Sequence, residues 1–203
     1  MASIITATVS SGLTQQADNS GVLQLASGTG NLVTVPSATG TMALTSTISL
    51  QVAEQWALTA DFTNSAGNDT EITTNLAINT ATGYGSLNQG MTQSSGVFTF
   101  PSTGYWLVAF NAAMNSSSAT SRYAFGRIKV TTNNSSYTNA AQATGALTAF
   151  SGTTWVGVNT QQIINVSSTT NVKVKFSIES QNAISVRGDG TTGSTFMTFI
   201  KLG

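Results

Sequence analysis

The residue types that perform most enzyme chemistry are scarce in this sequence. Its 203 residues include no cysteine and no histidine. A thiolate nucleophile, a disulfide framework, an imidazole base and the common zinc ligands are therefore excluded. Serine is abundant, but the histidine that usually activates a serine nucleophile is missing. We therefore expect a protein that is not an enzyme, with no catalytic residues, no cofactor and no metal.

Three of the seven acidic residues lie close together along the chain. Asp61, Asp69 and Glu71 flank a short loop that also contains asparagines. Carboxylates and amide carbonyls could together hold calcium, but their spacing matches no EF-hand loop. A solvated loop without a metal is the favoured interpretation. The acids also form no evident pair of the kind that glycosidases use.

The tripeptide Arg187-Gly188-Asp189 has the sequence of an integrin-binding motif. It lies in the glycine-rich stretch VRGDGTTG. Such a stretch is more typical of a turn, here one that precedes the last strand. We therefore predict a turn without a binding role at this position.

The charges are distributed unevenly although the net charge is zero. Five carboxylates and no basic residue precede Arg122, whereas the remainder holds seven basic residues and two acids. We expect these groups to pair within or between subunits. Binding to nucleic acid is disfavoured because a neutral chain lacks the attraction to phosphate that drives such binding.

Composition predicts an all-β protein. Hydrophobic residues make up 40% of the chain, but charged residues only 7%, against about 25% in ordinary globular domains. Their place is taken largely by 34 Thr and 26 Ser, which favour strands and turns respectively. No apolar stretch is long enough to span a membrane, and the start of the chain is not a secretory signal. We expect synthesis in a cytoplasm and no membrane insertion.

The chain divides near residue 50. Residues 1–50 contain two short strand signals, at 22–25 and 32–35, but the first aromatic residue of the chain is Trp56. So few large side chains cannot form a stable core alone. The segment is either disordered or ordered by packing on copies of itself or on another protein, and the strand signals favour ordering. Residues 51–203, which hold every aromatic residue, are expected to form the main domain.

Strand signals recur through residues 51–203 with turn signals between them, as in a sandwich or barrel. One of them, Tyr105–Met114, is apolar on both faces and must therefore be covered on both. Another has Val172, Val174 and Phe176 on one face and lysines on the other, which predicts one face in water. The predicted strands are Val52–Phe62, Glu71–Ile78, Gly96–Phe100, Tyr105–Met114, Arg122–Thr131, Gly145–Phe150, Gln161–Val166, Val172–Glu179 and Thr195–Leu202.

Two N-terminal strings resemble bacteriophage structural proteins. The string VTVPSATGTMALTS, from Val33 to Ser46, resembles a short module of tail-fibre and virion proteins. The string GLTQQADNSGVLQLASG, from Gly12 to Gly28, is similar to N-terminal segments of structural proteins of marine phages. These resemblances imply a virion protein that is anchored through residues 1–50.

The stretch GVFTFPSTGYWLVAF, from Gly96 to Phe110, resembles the signature of the complement globular-head and tumour-necrosis-factor superfamily. The last strand, from Ser194 to Leu202, resembles the closing strand of that family, although Met197 and Thr198 replace its usual Ser-Gly. A second departure is Thr170-Asn171, which stands where the family has Gly-Asp. The resemblance implies a ten-stranded jelly roll with its two ends close together, packed as a compact trimer. It does not transfer a ligand.

Three functions are compatible with these observations. The first is a trimeric virion surface fibre or spike, attached to another virion protein through residues 1–50, with a jelly-roll head (51–203) that meets a glycan or protein of the host surface. The second is capsid decoration, or a head fibre without a receptor role. The third, a depolymerising enzyme, is the least favoured by the residue inventory. The predicted location is the virion.

A trimer would cover apolar strand faces and strand edges that otherwise aggregate. The residues predicted to face a neighbouring subunit are Tyr105, Leu107, Tyr123 and Phe125. Polar turns predicted as contact regions are Asn115–Ser121, Thr132–Ala141 and Gly188–Gly193.

Overall fold

A computed structural model describes residues 23–27, 31–35, 52–148 and 151–202 of the chain. The chain divides into two compact units, Met1–Ser49 and Leu50–Gly203, and each is considered by itself. Within the described ranges every helix or strand is a β-strand. The prediction of an all-β protein is thus confirmed for these residues.

The first unit contains an antiparallel pair of strands, β1 (Leu23–Ser27) and β2 (Asn31–Val35). Leu23 lies opposite Val35, and Ser27 lies opposite Asn31. The two strand signals of the N-terminal segment are therefore confirmed. Most of the predicted fibre module, residues 36–46, lies outside the described residues, as do residues 12–22.

The second unit is built from two antiparallel sheets, which we name by their central strands. The β9 sheet comprises β3 (Ala53–Leu58), β4 (Ala60–Asn64), β6 (Leu76–Ile78), β9 (Gly104–Ser116), β12 (Thr154–Val166), β14 (Ile184–Asp189) and β15 (Phe196–Lys201). The β10 sheet comprises β5 (Asp69–Glu71), β7 (Thr92–Ser94), β8 (Val97–Thr99), β10 (Ser121–Thr131), β11 (Thr138–Leu147) and β13 (Lys173–Ser180).

The core lies between the two sheets and is centred on aromatic rings. Phe98 of the β10 sheet is fully buried. Its ring packs edge-on against Trp56 and Phe176, each at 5.4 Å between centroids, and at 5.1 Å from Phe199. Because Trp56 and Phe199 belong to the β9 sheet, this cluster joins the two layers. Aromatic pairs in this geometry contribute about 0.5–1.5 kcal/mol beyond their buried area.

The alternation predicted for Val172–Phe176 is confirmed, and the strand predicted to be apolar on both faces has one face buried in the core. In β9, every second side chain from Trp106 to Met114 points into the core and is fully buried. In β13, Val174 and Phe176 are buried, whereas Lys173 and Lys175 point outward and are half-buried. The other side chains of β9 therefore lie on the outward face of its sheet.

Strand β9 organises the sheet around it. Strand β12 pairs along its whole length on one edge, from Val166 opposite Gly104 to Thr154 opposite Ser116. Strands β15 and β14 share the other edge. At one end of the sheet, the amide of Lys201 donates to the carbonyl of Val52 at 2.9 Å. The prediction that the two ends of this domain lie together is confirmed.

The turn predicted in the glycine-rich stretch before the last strand is present at residues 190–193, but it does not include Arg187-Gly188-Asp189. These residues lie in strand β14, which pairs with β4 and β9. Gly188 allows two strands to approach each other closely, because a Cβ added there would lie 2.1 Å from the carbonyl oxygen of Ala60. The glycine at position 188 therefore marks strand packing.

The boundaries predicted around β11 are also wrong. The strand runs from Thr138 to Leu147, so it includes residues predicted as a polar turn and ends before the predicted strand does. Its residues are small because β11 packs on β12. A Cβ added at Gly145 would lie 2.3 Å from Cγ2 of Val156. Apolar periodicity is weak where packing requires glycine and alanine.

Candidate functional site

An apolar row crosses the outward face of the β9 sheet. Ile163 of β12 lies opposite Leu107 of β9, which lies opposite Ile200 of β15. Ile200 in turn lies opposite Ala53 of β3, and Ala53 forms a β-bridge with Leu87. Side chains of residues in register across a sheet stand side by side on one face. These five residues therefore form one continuous apolar stripe.

The large apolar side chains that are most exposed in the described part of the chain all belong to this sheet or its edge. They are Leu87, Tyr105, Trp155, Ile163 and Leu202. Four of them lie at the end of the sheet where β9 begins, and the amide of Leu202 donates to the carbonyl of Tyr105 at 2.8 Å. A concentrated apolar patch of this kind marks an interaction surface. We call the surface formed by Leu87, Tyr105, Ile163, Leu202 and the apolar stripe the apolar end of the face.

Polar but uncharged residues border the apolar end. The next row inward consists of Gln161, Ala109, Thr198 and Gln55. The amide of Gln55 donates to the hydroxyl of Thr198 at 3.0 Å. Burying this face therefore removes no charged side chain of these rows from water, and charge burial is the costliest obstacle to association.

The four residues predicted to face another subunit lie on two separate surfaces. Tyr105 and Leu107 belong to the apolar end of the β9 sheet. Tyr123 and Phe125 lie on β10 in the opposite sheet, with ring centroids 5.2 Å apart. The guanidinium of Arg127 lies 4.8 Å from the centroid of the Phe125 ring. The structure does not bring the two pairs together.

Sequence reasoning missed Ile163, Ile200 and Leu87 as members of the apolar stripe. Ile163 stands between Gln161 and Asn165 on a strand whose other face is buried. A single large apolar residue on an otherwise polar strand face was the available signal. Leu87 could not have been placed, because it lies in a loop and reaches the sheet only through its bridge.

The outward face of the β10 sheet carries a network of ion pairs. The guanidinium of Arg127 lies 3.2 Å from the Asp69 carboxylate and also pairs with Glu179. Lys129 contacts Asp69 at 2.7 Å, and Lys175 contacts Glu71 at 2.9 Å. Acids from the first half of the chain thus meet bases from the second half. The predicted pairing of the two halves is confirmed within the subunit.

Asp69 is the acid whose pKa responds most clearly to this network. Burial of its carboxyl raises the pKa, but the hydrogen bond from Lys129 and the charges of Lys129 and Arg127 outweigh that effect. The pKa therefore lies below its ordinary value. On the same sheet, the Lys175 ammonium lies 4.3 Å from the ring centroid of Tyr137, and burial raises the pKa of that phenol.

The acids considered for calcium are separated by the fold. Asp61 lies on β4 of the β9 sheet, whereas Asp69 and Glu71 lie on β5 of the other sheet. All three are engaged by basic side chains. The loop between them, residues 65–68, is exposed, so the expectation of a solvated loop is confirmed. Among the residues described, no group of three or more acidic, histidine or cysteine side chains could hold a metal.

Arg187 and Asp189 of the integrin-like tripeptide are held by neighbouring groups. The guanidinium of Arg187 lies 3.2 Å from the Asp61 carboxylate, which also accepts a hydrogen bond from the amide of Gly188. Asp189 accepts hydrogen bonds from the amides and hydroxyls of Thr191 and Thr192, and these lower its pKa.

The described residues include no helix that could cross a membrane.

Comparison with known proteins shows a likeness of fold. No family model and no curated protein matches the sequence. Crystal structures of murine APRIL at pH 8.5 and pH 8.0 are similar to it, with TM-scores of 0.51 and 0.50 and identities of 10% and 9%. Each match covers 74% of this chain and 98% of the APRIL chain.

The structure of Eiger TNF from S. frugiperda is similar as well. Its TM-score is 0.54 at 10% identity, and the match covers 76% of this chain and 94% of the Eiger chain. At these identities the likeness concerns the fold alone. The chain therefore contains a TNF-like jelly roll, as the resemblance of Gly96–Phe110 implied.

Proposed function

We propose that this chain is a structural protein of a bacteriophage particle and forms a trimeric surface fibre or spike. Its jelly-roll head contacts the host surface, and residues 1–50 attach it to another virion protein. The observation that carries the trimer is the apolar end of the β9 sheet. A solitary subunit leaves this surface exposed to water. Covering it with a neighbouring copy stabilises the assembly by about 25 cal/mol for each Å² of apolar surface buried.

Threefold symmetry fits the separation of the two predicted surfaces. In a cyclic trimer, each subunit offers one patch to one neighbour and a different patch to the other. Tyr105 and Leu107 lie on one patch, and Tyr123 and Phe125 lie on the opposite sheet. We assign the first pair to the patch that meets one neighbour and the second pair to the patch that meets the other, so that the two patches lie against each other in every contact of the ring.

The virion assignment is supported by the N-terminal strings that resemble phage structural proteins. A short leading hairpin with few large side chains cannot bury a core of its own. It orders against a partner in the virion, which the protein joins after synthesis in the host cytoplasm. Three heads on one fibre would also raise the avidity for a host surface without requiring tight single-site binding.

The test is to look for the chain on imaged particles of a phage whose genome encodes it. A small folded tag at Gly203 should appear on a surface fibre, and the purified full chain should compete with the phage for host cells. A tag spread over the head shell, with no competition for host cells, would favour capsid decoration instead. Particles that lack the chain altogether would refute the virion assignment.

A further inference from the structure

The outward face of the β9 sheet changes character toward its other end. There, Trp155 of β12 lies opposite Asn115 of β9, which lies opposite Ser185 of β14. The side chain of Trp155 is 58% exposed. An exposed indole surrounded by small polar residues is costly to leave in water and unsuited to a dry interface. We call this region the indole end of the face.

The floor of the indole end is flat and open. Next to Trp155 along the strand, Gly157 lies opposite Ala113, and a Cβ added at Gly157 would meet nothing within 4 Å. Strands β12 and β14 flank β9 on opposite edges, so Trp155 and Ser185 stand about 10 Å apart across the sheet. The result is a shallow platform with the indole at one side.

Amide groups border this platform. Asn159 lies opposite Asn111 in the next row, and the amide of Asn111 donates to the carbonyl of Ser194 at 2.9 Å. The side-chain amides of Asn115 and Asn159 have no hydrogen-bond partner within the part of the chain that the structure describes. Each therefore offers a donor and an acceptor to a ligand.

The charges beside the platform disfavour an anionic ligand. Arg187 is the nearby cation on β14, and it is paired with both Asp61 and Asp189. Two carboxylates against one guanidinium leave a local excess of negative charge. An acidic sugar would be repelled, whereas an uncharged one would not.

We propose that the indole end binds a neutral, β-linked hexose of a host-surface glycan. The C–H face of such a pyranose packs on the Trp155 indole, while its equatorial hydroxyl groups exchange hydrogen bonds with Asn115 and Asn159. Sites that bind small ligands combine an apolar or aromatic surface with a few directed polar groups. The indole and the two asparagine amides supply this combination. This inference rests on the proposed contact of the head with the host surface and names its ligand class.

The test measures binding of the full chain to cellotetraose, lactose and chitotetraose by indole fluorescence and calorimetry, with sialyl-lactose as the acidic counterpart. At least one neutral probe should bind, and sialyl-lactose should bind more weakly than lactose. Trp155→Ala should lower the affinity by about tenfold or more, and Trp155→Phe should restore part of it. Asn159→Ala should also weaken binding, whereas Asn139→Ala, on the exposed part of β11, should not.

Failure to bind any of the three neutral probes would overturn the inference, as would unchanged affinity in Trp155→Ala. So would dissociation of the trimer by Trp155→Ala, because Trp155 would then be an interface residue. Light scattering on each variant separates this inference from the proposed trimer. A monomeric chain that binds lactose through Trp155 would retain the sugar site and refute the trimer alone.

Discussion

Replacing Ile163 with lysine should dissociate the trimer while leaving each subunit folded. In the single subunit, the Ile163 side chain is 56% exposed and points away from the core. The substitution therefore changes the stability of the isolated fold by only about 0.5 kcal/mol or less. Ile163 lies beside Leu107 in the apolar stripe, which a neighbouring copy covers in the proposed trimer.

The cost to the trimer follows from what the neighbouring copy covers. Full burial of an isoleucine side chain is worth about 1.5–3 kcal/mol, so covering the exposed half contributes about 1 kcal/mol per subunit. Removing an ammonium group from water costs several kcal/mol per ion. Over three copies the association loses on the order of 10 kcal/mol, and each 1.4 kcal/mol is a factor of ten in an equilibrium constant.

Light scattering and circular dichroism on the full chain measure the two consequences separately. Ile163→Lys should give a folded monomer at micromolar concentration, with the strand spectrum of the parent. Asn139→Lys places the same charge on the exposed part of β11 and should remain a trimer. A variant with lysine at 163 that is still trimeric would refute the assignment of this face, and an unfolded one would refute the claim that Ile163 is dispensable to the fold.

Three further substitutions test the fold itself. Gly145→Ala should destabilise the protein by about 1–3 kcal/mol, because its Cβ would clash with Val156, whereas Gly152→Ala, which has open space around it, should change the melting temperature little. Phe98→Ala should cost about 3–5 kcal/mol in denaturant unfolding, since it removes the ring that joins the two sheets; a smaller loss would show that the aromatic cluster is not the centre of the core. Because the pKa of Asp69 is lowered in the folded state, its carboxylate contributes stability above the ordinary pKa of 3.8, and this stability is lost as the pH falls through the lower folded value. The free energy of unfolding should therefore fall less below about pH 4 in Asp69→Asn than in the parent protein. Parallel pH profiles for the two proteins would contradict the role of its ion pairs.

The buried strands were predictable because their periodicity is set by the core. Strand β9 places an apolar residue on its inner face at every second position, and β13 alternates valine and phenylalanine with lysine. Both patterns are visible without the fold, since a strand that lines a core must repeat every two residues. The charge pairing was predictable for a similar reason, because acids and bases in a nearly uncharged chain have few other partners.

The strands at the crowded edges were not predictable from composition. The sequence predicts a turn at Gly188 and the start of a strand at Gly145, yet both residues lie inside strands, at points where a neighbouring strand leaves no room for a Cβ. Only the tertiary neighbour, Val156 or Ala60, distinguishes that use of glycine from a turn. A single sequence does not reveal such neighbours.

The candidate interface was only partly predictable. The apolar odd positions of β9 indicated that Tyr105 and Leu107 face a covering surface. The rest of the stripe depends on register, because Ile163 and Ile200 meet Leu107 only when β12 and β15 pair with β9 as they do here. Tyr123 and Phe125 carried an equally apolar signal but belong to the opposite sheet.

The mass of the full chain in dilute solution tests the central claim most directly. Light scattering at micromolar concentration should give three times the 20.9 kDa of one chain, because the apolar end of the β9 sheet is complete only when another copy covers it. A stable, folded species of 20.9 kDa under the same conditions would contradict the account of this face and the spike built on it.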